Sequence, residues 1–351
     1  MTGVSIQLRA ALALLAGSAL IWGATRSFDP YTLSIAGFAG INIILAVSLN
    51  LTNGFIGLFS LGHPAFMTIG GYLTAILVMA PERKAVMLKS LPQMLVAQEW
   101  PFLPALLAGG LLAAATAVIA GFPVLRLRGH YLAVATLGLI FIVQSFAVNV
   151  SGITRGALGL SGLSAQTSLW WVYLFVVLTV YVCWQLKHSS LGRTMLAIRE
   201  NELAAACLGI RVARTRVLAF ALGAFFAGIA GGLWVHLVTL ISPNSFTFLL
   251  AFQLVVMVVL GGTGSITGAV LVAVVLTVTT ELLRPLEEAA NLFGASQMIV
   301  AVAVLLTLIF RPTGLFGTAE LDLLAWLKPF LSRPDPVPGR TPKTTPEKRR
   351  D

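Results

Sequence analysis

Long apolar runs recur along the whole chain, separated by short polar stretches that hold most of its Pro and basic residues. A helix needs about 20 mostly apolar residues to cross the hydrocarbon core of a bilayer. On that measure the pattern predicts spans near 8–24, 31–52, 58–80, 101–121, 130–149, 169–186, 217–240, 248–262, 265–284 and 296–311. Only Gly262-Thr263-Gly264 parts the eighth from the ninth. Residues 8–24, with Arg9 ahead of an apolar core, are laid out like a signal peptide, but the spans that follow favour an uncleaved first helix. The prediction is an all-α, polytopic membrane bundle of about ten helices over residues 1–317.

Three polar segments interrupt the pattern. Residues 81–100 read as an external loop with room for a short amphipathic helix on the membrane surface. Residues 318–351 read as a cytoplasmic tail, disordered from about 332, where Pro and charge replace apolar side chains. Residues 187–216 form the longest connection between spans on the inner side, and they are too polar to cross.

Composition agrees with the pattern. Of 351 residues, 58% are hydrophobic and 10% charged, with a mean hydropathy of +0.92; soluble domains carry about 25% charged residues. The net charge of +10 sits in loops and tail and not on a basic patch of a soluble domain, so it excludes nucleic acid as a partner. With the N-terminus inside, 17 of the 23 Lys and Arg fall on the inner side and six on the outer. That asymmetry orients the chain with both termini cytoplasmic. Cys183 and Cys207 have no disulfide or metal spacing and read as buried or inert thiols.

Ionisable residues at membrane depth are scarce. Glu281 alone among the acids lies within a predicted span, and Arg284 three residues later suits an interfacial ion pair. His63 falls inside a span, as a pathway residue or a hydrogen-bonded structural histidine; His236 and Trp234 read as interfacial, and His130 and His188 sit at span ends. No proton relay of the kind carriers use is visible, and no GxxxxGK[ST] loop binds a nucleotide. A Na⁺ site made of backbone carbonyls would leave no trace, so a secondary carrier stays open.

Within 187–216, Leu191, Met195, Ile198, Ala205, Leu208 and Val212 recur at three-and-four spacing, as on one helical face. Gly192 and Gly209 bracket sixteen residues, about 24 Å of helix if unbroken. Such a helix, with Arg199, Glu200, Asn201 and Glu202 exposed, suits docking into a partner's groove; a solvated topological loop is the plain alternative. Gly and Ser also cluster at membrane depth in each half: Gly57, Ser60, Gly62, Gly70 and Gly71, then Gly261, Gly262, Gly264, Ser265 and Gly268. Paired interruptions point to a translocation pathway, with Ser60, Gly62, His63, Gly261, Gly262, Gly264 and Ser265 as candidates; ordinary small-residue packing is the competing explanation.

The stretch GRTMLAIRENELAAACLGI (192–210) resembles the GRxxxAIRENExAAxxxGI loop of M-type (LivM-type) permease subunits of branched-chain amino acid ABC importers. It is also similar to the wider alanine-glycine loop of bacterial import permeases, in which Glu occupies the position of Leu203. Agreement continues in order through Asn50-Leu51 with GFIGLFSLGHPAFMTIGGYLTAIL (54–77), RLRGHYLAVATLGL (126–139), GALGLSGL (156–163), VVMVVLGGTGSITGAV (255–270) and FRPTGLFG (310–317). Pro64 and Ala269 depart from the family pattern.

The resemblance implies a permease of the bacterial inner membrane, working by alternating access. Its implied partners are a homologous H-type permease subunit, two ABC ATPase subunits and a periplasmic substrate-binding protein, in a lipid bilayer. It implies that this chain binds no cofactor and is no enzyme, ATP and Mg being used by the partner ATPases. Gly192, Arg193, Arg199, Glu200, Asn201, Glu202, Ala204, Ala205 and Gly209 would form the coupling helix facing the ATPase. Branched-chain amino acids are the implied substrates; urea, short amides or aromatic acids are alternatives, as is an ATP-independent carrier. No metal cluster, nucleophile–base pair or carboxylate pair at membrane depth supports a membrane enzyme.

Overall fold

The computed structural model describes residues 29–88, 90–127, 129–290, 294–311 and 314–317. The expected span 8–24 and the expected tail 318–351 lie outside them. Helix α1 (Pro30–Asn50) opens on a proline in its first turn, where no amide donor is needed. A wider π-helical turn, Leu51–Phe55, prolongs it to a rod of 26 residues. Residues 56–62 then leave helical geometry, and α2 (His63–Val78) follows. Two short helices come next, α3 (Pro81–Met87) and α4 (Gln93–Val96). Three longer elements and one turn of helix succeed them: α5 (Phe102–Val124), α6 (His130–Asn149), α7 (Ser151–Thr154) and α8 (Leu169–His188). The polar connection holds α9 (Ser190–Glu200) and α10 (Glu202–Cys207), ahead of α11 (Val212–Val238). The last are α12 (Phe248–Gly261), α13 (Ile266–Ala290) and α14 (Ala295–Phe310). Two-residue strands β1 (Leu160–Ser161) and β2 (Leu240–Ile241) pair antiparallel, Leu160 opposite Ile241.

Among the described residues, six helices are long and apolar enough to cross a membrane: Pro30–Phe55, α5, α6, α8, α11 and the stretch Ile266–Pro285. Of the other spans expected within the described residues, 58–80 shrinks to the 16 residues of α2, while 248–262 and 296–311 keep nearly their expected lengths and fall short of the bilayer core. Helices α2, α12 and α14 have 16, 14 and 16 residues, or about 21–24 Å at 1.5 Å per residue. A bilayer core is about 30 Å thick. Residue 58, where the third span is expected to begin, is instead in the irregular stretch before α2, its amide donating to the Thr52 carbonyl. A bend of 120° separates α2 from α3, and the segment 81–100 holds the short helices α3 and α4.

The helix ends gather at two faces. One face gathers residues 51–57, 125–127, 188–211 and 262–265. There Arg199 reaches Gly54 and Thr263, and the Leu315 amide donates to the Leu260 carbonyl. On the opposite face, Tyr31 Oη donates to the Glu281 carbonyl, the Ser90 amide to Gly152 and the Leu163 amide to Thr239. Lys84, fully buried there, donates to the carbonyls of Leu77, Leu95 and Gln98, so a charged group closes the end of α2. Arg83 donates to the Gly162 carbonyl beside it.

The tightest packing joins α2, α5 and α11, where small residues let backbones touch. A methyl group at Gly70 would strike the Gly228 backbone, and one at Gly231 would strike Met67's. Phe66 and Phe220 meet edge to face 5.3 Å apart at the flank of this contact. Because the obstacle is backbone, no rotamer change relieves it. Gly231→Ala is expected to cost about 2 kcal/mol through overpacking, read as a lower melting temperature of the purified protein in detergent.

Two residues expected at the interface pack against other parts of the protein. His236 is buried within the protein: its Nδ1 lies 2.9 Å from the Ser164 carbonyl and its ring sits edge-on to Phe102. Trp234 is half-buried against Phe246. Of the two thiols, Cys183 is buried as expected and Cys207 is exposed.

Candidate functional site

The segment that carries the loop motif folds as a bracket of two short helices. Ser189 caps α9, its Oγ accepting the Gly192 amide at 3.2 Å. The single sixteen-residue helix expected between Gly192 and Gly209 is not formed. Asn201 takes an extended conformation and caps α10, its Oδ1 accepting the Ala204 amide at 3.0 Å. The side chain thus competes with the helical ladder and breaks it. Gly209, at φ +82°, ends α10 in the left-handed conformation that glycine tolerates best.

The charged residues do not all face outward. Arg199, expected to be exposed, is half-buried and points into the protein. Its guanidinium donates to the Gly54 carbonyl at 2.6 Å and the Thr263 carbonyl at 3.3 Å. Glu202, also expected to be exposed, forms a two-pronged ion pair with Arg216 of α11 at 3.1 and 3.0 Å. Gly192 is packed against the last carbonyls of α8, Ala205 is buried, and Arg193 lies on the surface beside the His188 carbonyl. Glu200, Asn201 and Ala204 face solvent. Met195 and Ile198 are buried as the apolar stripe requires, but Leu191 and Leu208 of the same stripe are exposed, Leu208 by 81%.

Above the bracket, the two glycine-rich interruptions meet. Asn50, fully buried at the end of α1, accepts the Gly264 amide through Oδ1 and donates Nδ2 to the Ser265 carbonyl, both at 2.9 Å. Lys187 Nζ donates to the Gly264 carbonyl at 2.7 Å and lies 5.7 Å from the Phe55 ring centroid. Ser265 Oγ accepts the Gly268 amide, and Gly261 is packed on the Gly268 backbone. Gly262, at φ +105°, forms the turn between α12 and α13. On the other interruption, Asn53 clasps the Ser60 backbone through both side-chain atoms, and Ser60 Oγ accepts the Gly62 amide. His63 Nε2 lies 3.2 Å from Ser48 Oγ.

The seven pathway candidates therefore sit in this polar knot, Gly261, Gly262, Gly264 and Ser265 beside Asn50 and Ser60, Gly62 and His63 in the neighbouring turn. Asn50, Lys187, Asn53 and Arg216, which are not among the sequence candidates, supply many of the bonds. Asn50 and Asn53 carry a signal: side-chain amides at the end of an apolar run need partners.

The family model for branched-chain amino acid transport system permease components matches residues 31–309. The chain belongs to that family. Among relatives of this branched-chain permease, the high-affinity permease protein LivM of Escherichia coli (strain K12) is 33% identical over 326 residues, covering 83% of this chain and 71% of the relative. The LivM protein of Salmonella typhimurium is equally similar. The LivH permease protein of Escherichia coli (strain K12) is 23% identical over 303 residues, covering 80% and 92%. No solved structure matches. The membrane-length helices fit a multi-pass permease of this family. The knot of Asn50, Arg199 and Lys187 joins its first described helix, its connecting bracket and the turn before α13.

Proposed function

We propose that this permease subunit imports branched-chain amino acids across the bacterial inner membrane by alternating access, driven by ATP hydrolysed on partner subunits. Its mates in this reading are an H-type permease, two ABC ATPases that hold ATP and Mg, and a periplasmic binding protein. Both termini lie in the cytoplasm. The observation that carries the reading is Arg199. One guanidinium ties the bracket to the turn after α1 and to the turn before α13, so a push on the bracket reaches both interruptions at once. The outer side of the bracket presents Glu200, Asn201 and the exposed Leu203 and Leu208, an apolar pair ringed by polar groups that suits an ATPase groove.

Two measurements test it. The purified permease should bring down ATPase subunits, and vesicles holding the whole assembly should take up leucine only with ATP and loaded binding protein. Gradient-driven uptake by this chain alone would overturn the reading. Glu202→Lys places a cation against Arg216 and is expected to leave ATP hydrolysis running while uptake falls about tenfold, the equivalent of about 1.4 kcal/mol of lost coupling. Retained uptake in that variant would remove Glu202 from the coupling path.

A further inference from the structure

A separate cavity, of about 930 Å³, lies away from the knot between α1, α12, α13 and α14, and no residue of the bracket or of the two interruptions lines it. Leu45, Met257 and Val304 represent its mainly apolar wall. Polar groups occur along it at intervals: Asn42 donates to Thr277 Oγ1 at 2.8 Å, and Glu281 with Arg284 stands at the end near Tyr31. Glu281 is the one acidic residue within the membrane-length helices among the described residues.

The pair is loose. Arg284 Nη1 approaches Glu281 Oε2 only to 3.5 Å, and the glutamate side chain is 19% exposed against 63% for the arginine. Charged partners bound for strength close to about 2.7–2.9 Å and often in two-pronged fashion, as Glu202 and Arg216 do more nearly. A single long contact leaves most of the guanidinium's donors outside the pair. Glu281, the more covered of the two, thus lines the cavity with a partner that holds it by one long contact.

An α-amino acid zwitterion has the complementary form. Its carboxylate and ammonium sit on one carbon, side by side, as the cation and anion do here. The carboxylate can accept from Arg284 while the ammonium donates to Glu281, and an aliphatic side chain then points along the apolar wall. We infer that the cavity is a binding station for zwitterionic, apolar α-amino acids, with Glu281 and Arg284 as the recognition pair. The inference rests on the import reading above and adds the place where this chain touches its cargo. A neutral amide, a lone carboxylate or a lone amine would engage at most half of the pair.

Binding can be read without transport. In the full assembly, Thr280→Cys is introduced beside the pair in a Cys207→Ser background and labelled with a maleimide. Millimolar leucine is expected to slow labelling at least fivefold, while leucinamide and isovalerate, each lacking one charge, do not. Equal protection by all three, or none by leucine, overturns the proposal, as does protection by added phospholipid alone, which would make the cavity a lipid groove. In uptake, Glu281→Gln and Arg284→Gln are each expected to raise the KM for leucine about tenfold with assembly intact. The exchange of Glu281→Arg with Arg284→Glu remakes the ion pair in reverse and should not restore the KM; recovery would assign the pair a structural role only. If vesicles with the unaltered permease take up no leucine while leucine still protects the thiol of Thr280→Cys, the import reading fails and the station stands.

Discussion

Arg199→Ala should reduce ATP-driven leucine uptake about tenfold or more, with the permease still inserted and the ATPases still bound. The guanidinium makes two charge-assisted bonds, to the Gly54 and Thr263 carbonyls, each worth about 1.5–3 kcal/mol. Alanine removes both, so the bracket can rock without moving the turns above it. Hydrolysis then continues and is wasted. The measurement is ATP consumed per leucine imported in reconstituted vesicles, expected to rise severalfold. Arg199→Lys should fall between, because a single ammonium cannot present the planar fork that spans two carbonyls. An unchanged ratio in Arg199→Ala would mean that force reaches the spans by another route.

The largest expected loss of stability lies at Asn50→Leu. Leucine matches the apolar surroundings but strands the Gly264 amide, which donates to Asn50 Oδ1. It also takes the 2.9 Å donor from the Ser265 carbonyl, leaving that oxygen the longer bond from the Ala269 amide at 3.3 Å. An orphaned buried group costs about 1–3 kcal/mol and a lost bond about 1 kcal/mol more. A total of about 3 kcal/mol is expected, seen as a melting temperature lowered by several degrees in detergent. A variant as stable as the parent would show that water or a relaxed turn replaces the amide.

Much of this architecture is legible in the chain because apolar runs, Pro at helix starts and Gly at turns act locally. The i, i+3 spacing of Glu281 and Arg284 likewise announces an ion pair. What stays hidden depends on distant partners. Nothing near His236 in sequence announces Ser164, 72 residues away, whose carbonyl lets an imidazole be buried. Arg199 stands four residues after the buried Met195 and so shares the inward face of α9, whereas Glu202 faces outward only if the apolar stripe runs on one continuous helix. Once Asn201 caps a new helix, the angular register of everything after it shifts, and Leu208 moves from the stripe to the surface. The cavity is illegible altogether, since Asn42 and Thr277 meet across 235 residues.

The glycine contacts of α2, α5 and α11 also limit how this permease can move. Where Gly70 lies on Gly228 and Gly231 on Met67, no side chain can swing aside to let one helix slide along another. These three helices behave as a single casting that tilts whole. Sliding and parting are left to the outlying α12, α13 and α14, which supply most of the cavity's wall, while Met67 and Trp234 come to it from the rigid trio.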